Sequence, residues 1–242
     1  MRQAAHLNSH RPAVIYTDGT TSEHLSFAEA WQRGVRMANA LLELDLHPGD
    51  RIGVLEDNSI GAQDFFAGAA AGGFVRVPLY ARNSVDSHHH MLDHTGCRAV
   101  VVADHYLDEI DAVRERLPNL EHVIVRGDDY ESWLAGFSAD DPNVKISPDD
   151  WYIIRHTGGT TGKSKGVAYS HRSWLAAGRD WFYNFPPMEA GDRCLHVGPI
   201  SHGSGYLYTP TWLSGGTNVM LDRFDPAAVS YTHLTLPTIY SV

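Results

Sequence analysis

"HTGGTTGKSKGVAYSH", residues 156–171, packs four glycines, three threonines, two lysines and a serine into its first eleven positions. Glycine has no Cβ, so backbone N–H groups can turn inward and approach an anion closely. Threonine adds hydroxyl donors and lysine a mobile positive charge. An ordinary surface turn needs one or two such residues, so a loop without a ligand accounts poorly for ten of eleven. The element on the C-terminal side of the loop decides the fold. A nucleotide-binding loop of the G-x-x-x-x-G-K-[ST] type opens a helix, whose N-terminal amides hold the phosphates. Gly162, Lys163 and Ser164 would supply the end of that pattern, but its first glycine would fall on Thr157. The next run, "GVAYS" (166–170), favours a strand. The loop therefore joins two strands, "WYIIRH" (151–156) and "GVAYS". A helix starts only near His171, capped by Ser170, with Trp174, Leu175, Trp181 and Phe182 on its apolar side.

Upstream, short β-rich runs alternate with helical patterns. "PAVIYTD" (12–18) reads as a strand and "SFAEAWQRGVRMANALLEL" (26–44) as an amphipathic helix capped by Ser26. The strands "RIGVLE" (51–56), "FVRVPLY" (74–80), "RAVVVAD" (98–104) and "HVIVR" (122–126) are separated by helices at 61–73, 85–93 and 107–117. This βαβα rhythm, with strands rich in valine and isoleucine, predicts an α/β fold with largely parallel sheet covered by helices. The irregular stretch 127–150 reads as a connection between subdomains.

The chain has 242 residues, 43% hydrophobic and 20% charged, which suffices for a full core in one or two domains. A formal charge of −10 argues against a nucleic-acid or membrane-surface binder. Cys97 and Cys194 are too few and too far apart for a disulfide framework or a metal site. No signal-peptide core stands near the N-terminus, and the most apolar run, 65–75, is too short to span a bilayer. These features predict a cytoplasmic protein without stable membrane insertion.

The order T-x-G-T-T-G-x-x-K-G in the loop resembles the signature of the adenylate-forming (AMP-binding) superfamily, which includes acyl-CoA synthetases and fatty-acyl-AMP ligases. That signature is usually written [ST]-[SG]-G-[ST]-T-G-x-P-K-G. Thr157, Gly158, Gly159, Thr160, Thr161, Gly162, Lys165 and Gly166 fit it. Ser164 departs, standing where proline is usual, which loosens the turn without removing a phosphate-binding group. Three further blocks are similar to the family in order and spacing: "LHPGDRIGVLEDNS" (46–59), "AGAAAGGFVRVPLY" (67–80) and "LHVGPISHGSGYLYTPTWLSGGTNVML" (195–221).

The resemblance implies the N-terminal part of the family's large domain and an ATP-dependent acid–thiol ligase. A carboxylate attacks the α-phosphate of ATP, giving an acyl-adenylate and pyrophosphate, and a thiol, usually that of coenzyme A, then takes the acyl group. Donors placed around the leaving pyrophosphate drive such chemistry. The resemblance assigns that role to the loop amides, the Thr160 and Thr161 hydroxyls and the Lys165 ammonium, and puts Thr160 near a bound Mg2+. Lys163, at a variable position, is expected to be solvated. His202 is expected between the acyl pocket and the nucleotide, with Gly203 and Gly205 keeping the backbone open for an acyl chain; the bland alternative is that His202 fills a turn after Pro199. The acyl pocket is only partly encoded, which leaves fatty, steroid-derived and aromatic acids open; the aromatic and glycine content of "DWFYNFPP" and "SHGSGYLYTPTW" leans toward a hydrophobic acid, in particular a fatty acid.

Other patterns carry less. Neither Ser201 nor Ser204 meets the G-x-S-x-G spacing of a serine hydrolase. In "HHHMLDH" (88–94), His90 and His94 share a helix face as a feasible pair of zinc ligands, but with no third ligand in view the run reads as solvated histidines on a surface helix. The uncharged segment 229–242 has no counterpart in the family, and Val229 to Thr238 can be encoded by DNA resembling a transposon-type library adapter. The expected domain therefore runs over 1–228, followed by a non-native tail. On this reading the family's later motifs are missing, and the chain alone is expected to be inactive. A stand-alone nucleotide- or phosphate-binding module and a P-loop NTPase are the competing readings.

Overall fold

The computed structural model describes residues 1–158, 163–223 and 226; the expected tail, 229–242, lies outside them. The chain begins with helix α1 (Arg2–Leu7), the hairpin strands β1 (Pro12–Thr17) and β2 (Ser22–Ser26), and helix α2 (Phe27–Glu43). Ser26 and Glu29 form a reciprocal capping box that starts α2 where the serine predicted. Next come β3 (Arg51–Leu55), α3 (Asp64–Gly72), β4 (Val75–Pro78), α4 (Val85–Thr95), β5 (Ala99–Ala103), α5 (Leu107–Arg114) and β6 (His122–Arg126). The stretch read as irregular contains a short helix, α6 (Tyr130–Ala135), before β7 (Trp151–His156) and β8 (Gly166–Ser170). The last elements are α7 (His171–Asn184), β9 (Arg193–His196), α8 (Gly205–Leu213) and β10 (Thr217–Leu221).

The strands form two sheets. Six lie in the order β6-β5-β3-β4-β7-β8, all parallel except β8, which returns antiparallel beside β7. The other four lie in the order β2-β1-β10-β9, where the pairings β1–β10 and β10–β9 are parallel. Val100, Val101 and Val102 of β5 are all fully buried, which explains why the central strands read as unbroken apolar runs.

Helices α2 and α3 cross on small residues: a Cβ built on Gly34 would stand 2.2 Å from the Ala67 Cβ. The same helix pair is joined by charge. Asp64, fully buried at the start of α3, takes two hydrogen bonds of 2.8 Å from the Arg33 guanidinium and one of 2.9 Å from the Tyr130 hydroxyl. Arg33 reaches on to Glu131 of α6, and Arg126 of β6 stands 3.3 Å from Asp64 and 2.6 Å from Glu56. Burial pushes the Glu56 carboxyl up to about 7, against the pull of Arg126 and Arg76.

Two expectations are corrected. Of the four apolar residues expected on the buried side of α7, only Trp174 is buried, and Leu175 is 48% exposed. The helix rests on its neighbour through Trp174 and Gly178, whose Cα faces Pro210 of α8, while Leu175 turns outward and Trp181 and Phe182 are half-buried. The histidine run is not solvated throughout either: His94 is exposed, but His88 is fully buried, with Nε2 2.9 Å from the Tyr80 carbonyl and Nδ1 2.9 Å from Glu109 Oε2.

Replacing Asp64 by alanine should lower unfolding stability by about 3–5 kcal/mol, the usual cost of stranding buried partners of a removed charge. The exposed pair of Asp149 with Arg172 gives the control: Asp149→Ala should cost at most ~1 kcal/mol. Urea denaturation of both variants checks the contrast, and equal midpoints would refute it.

Candidate functional site

The loop after β7 leaves the sheet at the carboxyl end of a run of parallel strands, the edge where open α/β sheets bind ligands. β7 and β8 flank it as expected, and α7 begins at His171 with the Ser170 hydroxyl accepting the Ser173 N–H. Gly166 is the first residue of β8 rather than part of the loop. Two reciprocal hydrogen bonds close its base: the Thr157 N–H donates to the Lys165 carbonyl at 2.9 Å, and the Lys165 N–H donates to Thr157 Oγ1 at 3.3 Å. Lys163 and Lys165 are both exposed, and nothing crowds a Cβ at Gly158. Gly159, Thr160, Thr161 and Gly162 lie outside the described residues.

His156, the last residue of β7, sits under this loop, 4% exposed, with neither ring nitrogen hydrogen-bonded. Burial, then the neighbouring His94 and His90, depress it to about 4, so it is neutral near pH 7. Its carbonyl accepts the Tyr80 hydroxyl at 2.8 Å, which joins the end of β7 to the segment after β4. The rings of His90 and His94 lie 6.4 and 6.2 Å from that of His156. A third histidine thus stands near the pair singled out in the sequence. His90 Nε2 is nevertheless 2.8 Å from the Ser164 carbonyl, and among the described residues no three such groups are arranged to hold a metal ion. A cleft of about 420 Å³ opens between α4 and the loop, walled by Tyr80, Asn83, His90, Thr157, Lys163 and Ser164. A depression of about 580 Å³ beside β6 and α6 is larger, but it holds neither the glycine-rich segment nor a lysine.

The segment 198–205 meets the same edge. Buried Asn58, just beyond β3, accepts the Ile200 N–H at 2.9 Å and donates to the Gly198 and Leu221 carbonyls. From this anchored turn His202 reaches Tyr80, ring to ring at 4.3 Å, and its carbonyl accepts from Arg155 at 3.0 Å. Partial burial, then the Arg155 guanidinium, hold its imidazole below the usual range. Arg155 also lies over the Tyr206 ring, 4.4 Å from its centre. Gly203 faces open space, whereas Gly205 is buried and a Cβ there would fall 2.0 Å from the Ile200 carbonyl. Close backbone packing is therefore enough to require glycine at 205.

The structure thus brings Thr157, Gly158, Lys165 and His202 to one edge. It adds Asn58, Tyr80, His90, Arg155 and His156, to which the sequence pattern gave no part in the site. Their signal was weak: Asn58, Tyr80, Arg155 and His156 are single polar residues near strand ends without a repeating spacing, and the spacing of His90 with His94 pointed to a metal rather than to the loop.

Known proteins are similar to this chain in sequence and fold. A long-chain-fatty-acid–CoA ligase, FadD13 of Mycobacterium tuberculosis, is 29% identical over 88% of this chain and 43% of its own length. A fatty acid–[acyl-carrier-protein] ligase, ScoC of Streptomyces coeruleorubidus, is 30% identical over 88% of this chain and 40% of its own. A feruloyl-CoA synthase of Amycolatopsis is 27% identical over 93% and 44%. The chain thus spans less than half the length of these curated relatives. Among solved structures, the inhibitor-bound N-terminal domain of FACL13 from Mycobacterium tuberculosis superposes with a TM-score of 0.87 at 28% identity, covering 94% of this chain and 57% of that one. The model of the AMP-binding enzyme family matches residues 1–239, and the chain belongs to that family.

Proposed function

We propose that the chain is the phosphate-gripping part of an ATP-dependent ligase that activates a carboxylic acid as its acyl-adenylate and passes the acyl group to a thiol. The observation that carries this reading is the loop base. The Thr157–Lys165 pair closes the loop on a rigid strand pair and leaves the Lys165 side chain exposed, next in sequence to Ser164, which lines the cleft with Thr157 and Lys163. An exposed ammonium beside a glycine-rich segment suits a polyphosphate. When bound, Mg2+ supplies further charge neutralisation for the leaving pyrophosphate; Thr160 is the residue that the family signature offers it. Lys165 and the loop amides stabilise charge that develops on the phosphates, and His202, held by Tyr80 and Arg155, borders the space for the acid.

The acid is proposed to be hydrophobic, a fatty acid first, with coenzyme A as the acceptor. Two relatives support fatty acids by name, while the feruloyl-CoA synthase and the carrier-protein ligase set the alternatives. Tyr206, Tyr80 and the open side at Gly203 are the apolar features at that border. In a longer protein carrying this segment, Lys165→Ala should slow acid-dependent ATP–pyrophosphate exchange by about 10²–10³-fold, as for one lost oxyanion donor. Circular dichroism should be unchanged, since the side chain is exposed. An unchanged exchange rate would overturn the assignment.

Residues 1–228 alone should release no pyrophosphate with short, long or aromatic acids. In-line geometry and charge neutralisation act together and are strongly non-additive, and the relatives are more than twice as long. Turnover by that piece would show that adenylation needs nothing beyond it.

A further inference from the structure

We propose that His90 is a positioning residue for the glycine-rich loop: its ring holds the carbonyl of Ser164 and so fixes the leg that presents Lys165. The proposal rests on the reading of that loop as the phosphate grip. His90 lies on α4, 74 positions from Ser164, and its Nε2 is 2.8 Å from the carbonyl oxygen. A carbonyl only accepts, so His90 must present an Nε2–H. The ring is itself held in place. His94, one turn along α4, stacks on it at 5.3 Å and 19°, and His156 stands edge-on at 6.4 Å and 70°.

Lys165 is consequently fixed from both sides. Its own backbone is paired to Thr157, and the preceding carbonyl is tied to a helix. Position 164 is also where this loop departs from its signature. Proline there would fix φ covalently. Serine leaves φ free, and a hydrogen bond from a distant helix supplies the restraint instead. His90 acts through the loop backbone, so its effect should fall on the grip for nucleotide.

Tryptic cleavage after Lys163 and Lys165 reads the tether directly in the 242-residue chain, without any nucleotide. His90→Phe keeps the ring but loses the donor; His90→Gln places an amide N–H near the Nε2 position; His90→Asn is too short to reach. Phe and Asn should raise cleavage at these two lysines about fivefold, the worth of one hydrogen bond, and Gln should stay within about twofold of the native chain. Equal cleavage in Gln and Asn would overturn the tether, even if Phe failed to fold. In a longer protein carrying the segment, Phe should raise KM for ATP about fivefold with little change in kcat, and Gln should restore it. Faster cleavage with an unchanged KM would leave a structural tether and overturn the positioning role. Absence of acid-dependent exchange in the native longer protein would instead overturn the ligase reading, and the cleavage series would still judge the tether.

Discussion

The placement of three helices depends on one buried carboxylate. Asp64 has no contact with water; Arg33, Arg126 and Tyr130 surround it, and each of these comes from a different element. Attraction at such short range is steep in distance and direction, so the network tolerates few alternative packings. Gly34 adds a steric condition, since any larger residue would push α2 off α3. Together these fix the helix layer on one face of the six-stranded sheet, and through the sheet they fix where β4 and β7 end.

Those strand ends are what the site uses. Tyr80 follows β4 and His156 ends β7, and their hydrogen bond makes one rigid corner out of two parallel strands. The turn at 198–205 reaches the corner from the second sheet and is held by Asn58, a residue that belongs to the first. Contacts at the site therefore run between the sheets. Movement of one sheet against the other would be felt at His202 before it was felt in either core.

Much of this was legible in the residues. β-branched runs gave β3, β5, β6 and β7 within a residue or two, and serine caps placed the starts of α2 and α7. The strand after the loop, which separated this fold from a P-loop, could be read from "GVAYS" alone. The features that were not legible depend on distant pairing. The split into two sheets arises because β1 pairs with β10, and no local pattern encodes a partner 200 residues away. α6 was missed because its six residues are too few to show a period. Leu175 was misplaced because helical spacing marks an apolar side without saying whether anything covers it. The histidine run misled for the same reason: one face of α4, with His88, meets α5 and another, with His90, meets the loop.

The pairing of β1 with β10 also orders events during synthesis. The ribosome delivers β1 long before its parallel neighbour β10, since Val14 stands opposite Asn218. Until then β1 has only its hairpin partner β2, and a two-stranded hairpin is marginal in water. The strands β3 to β6, by contrast, are joined by short crossovers and can assemble as soon as each helix between them has formed. The emerging chain therefore carries an open edge on β1 until β10 has been made, a stretch that chaperones or neighbouring nascent chains can capture before β10 arrives.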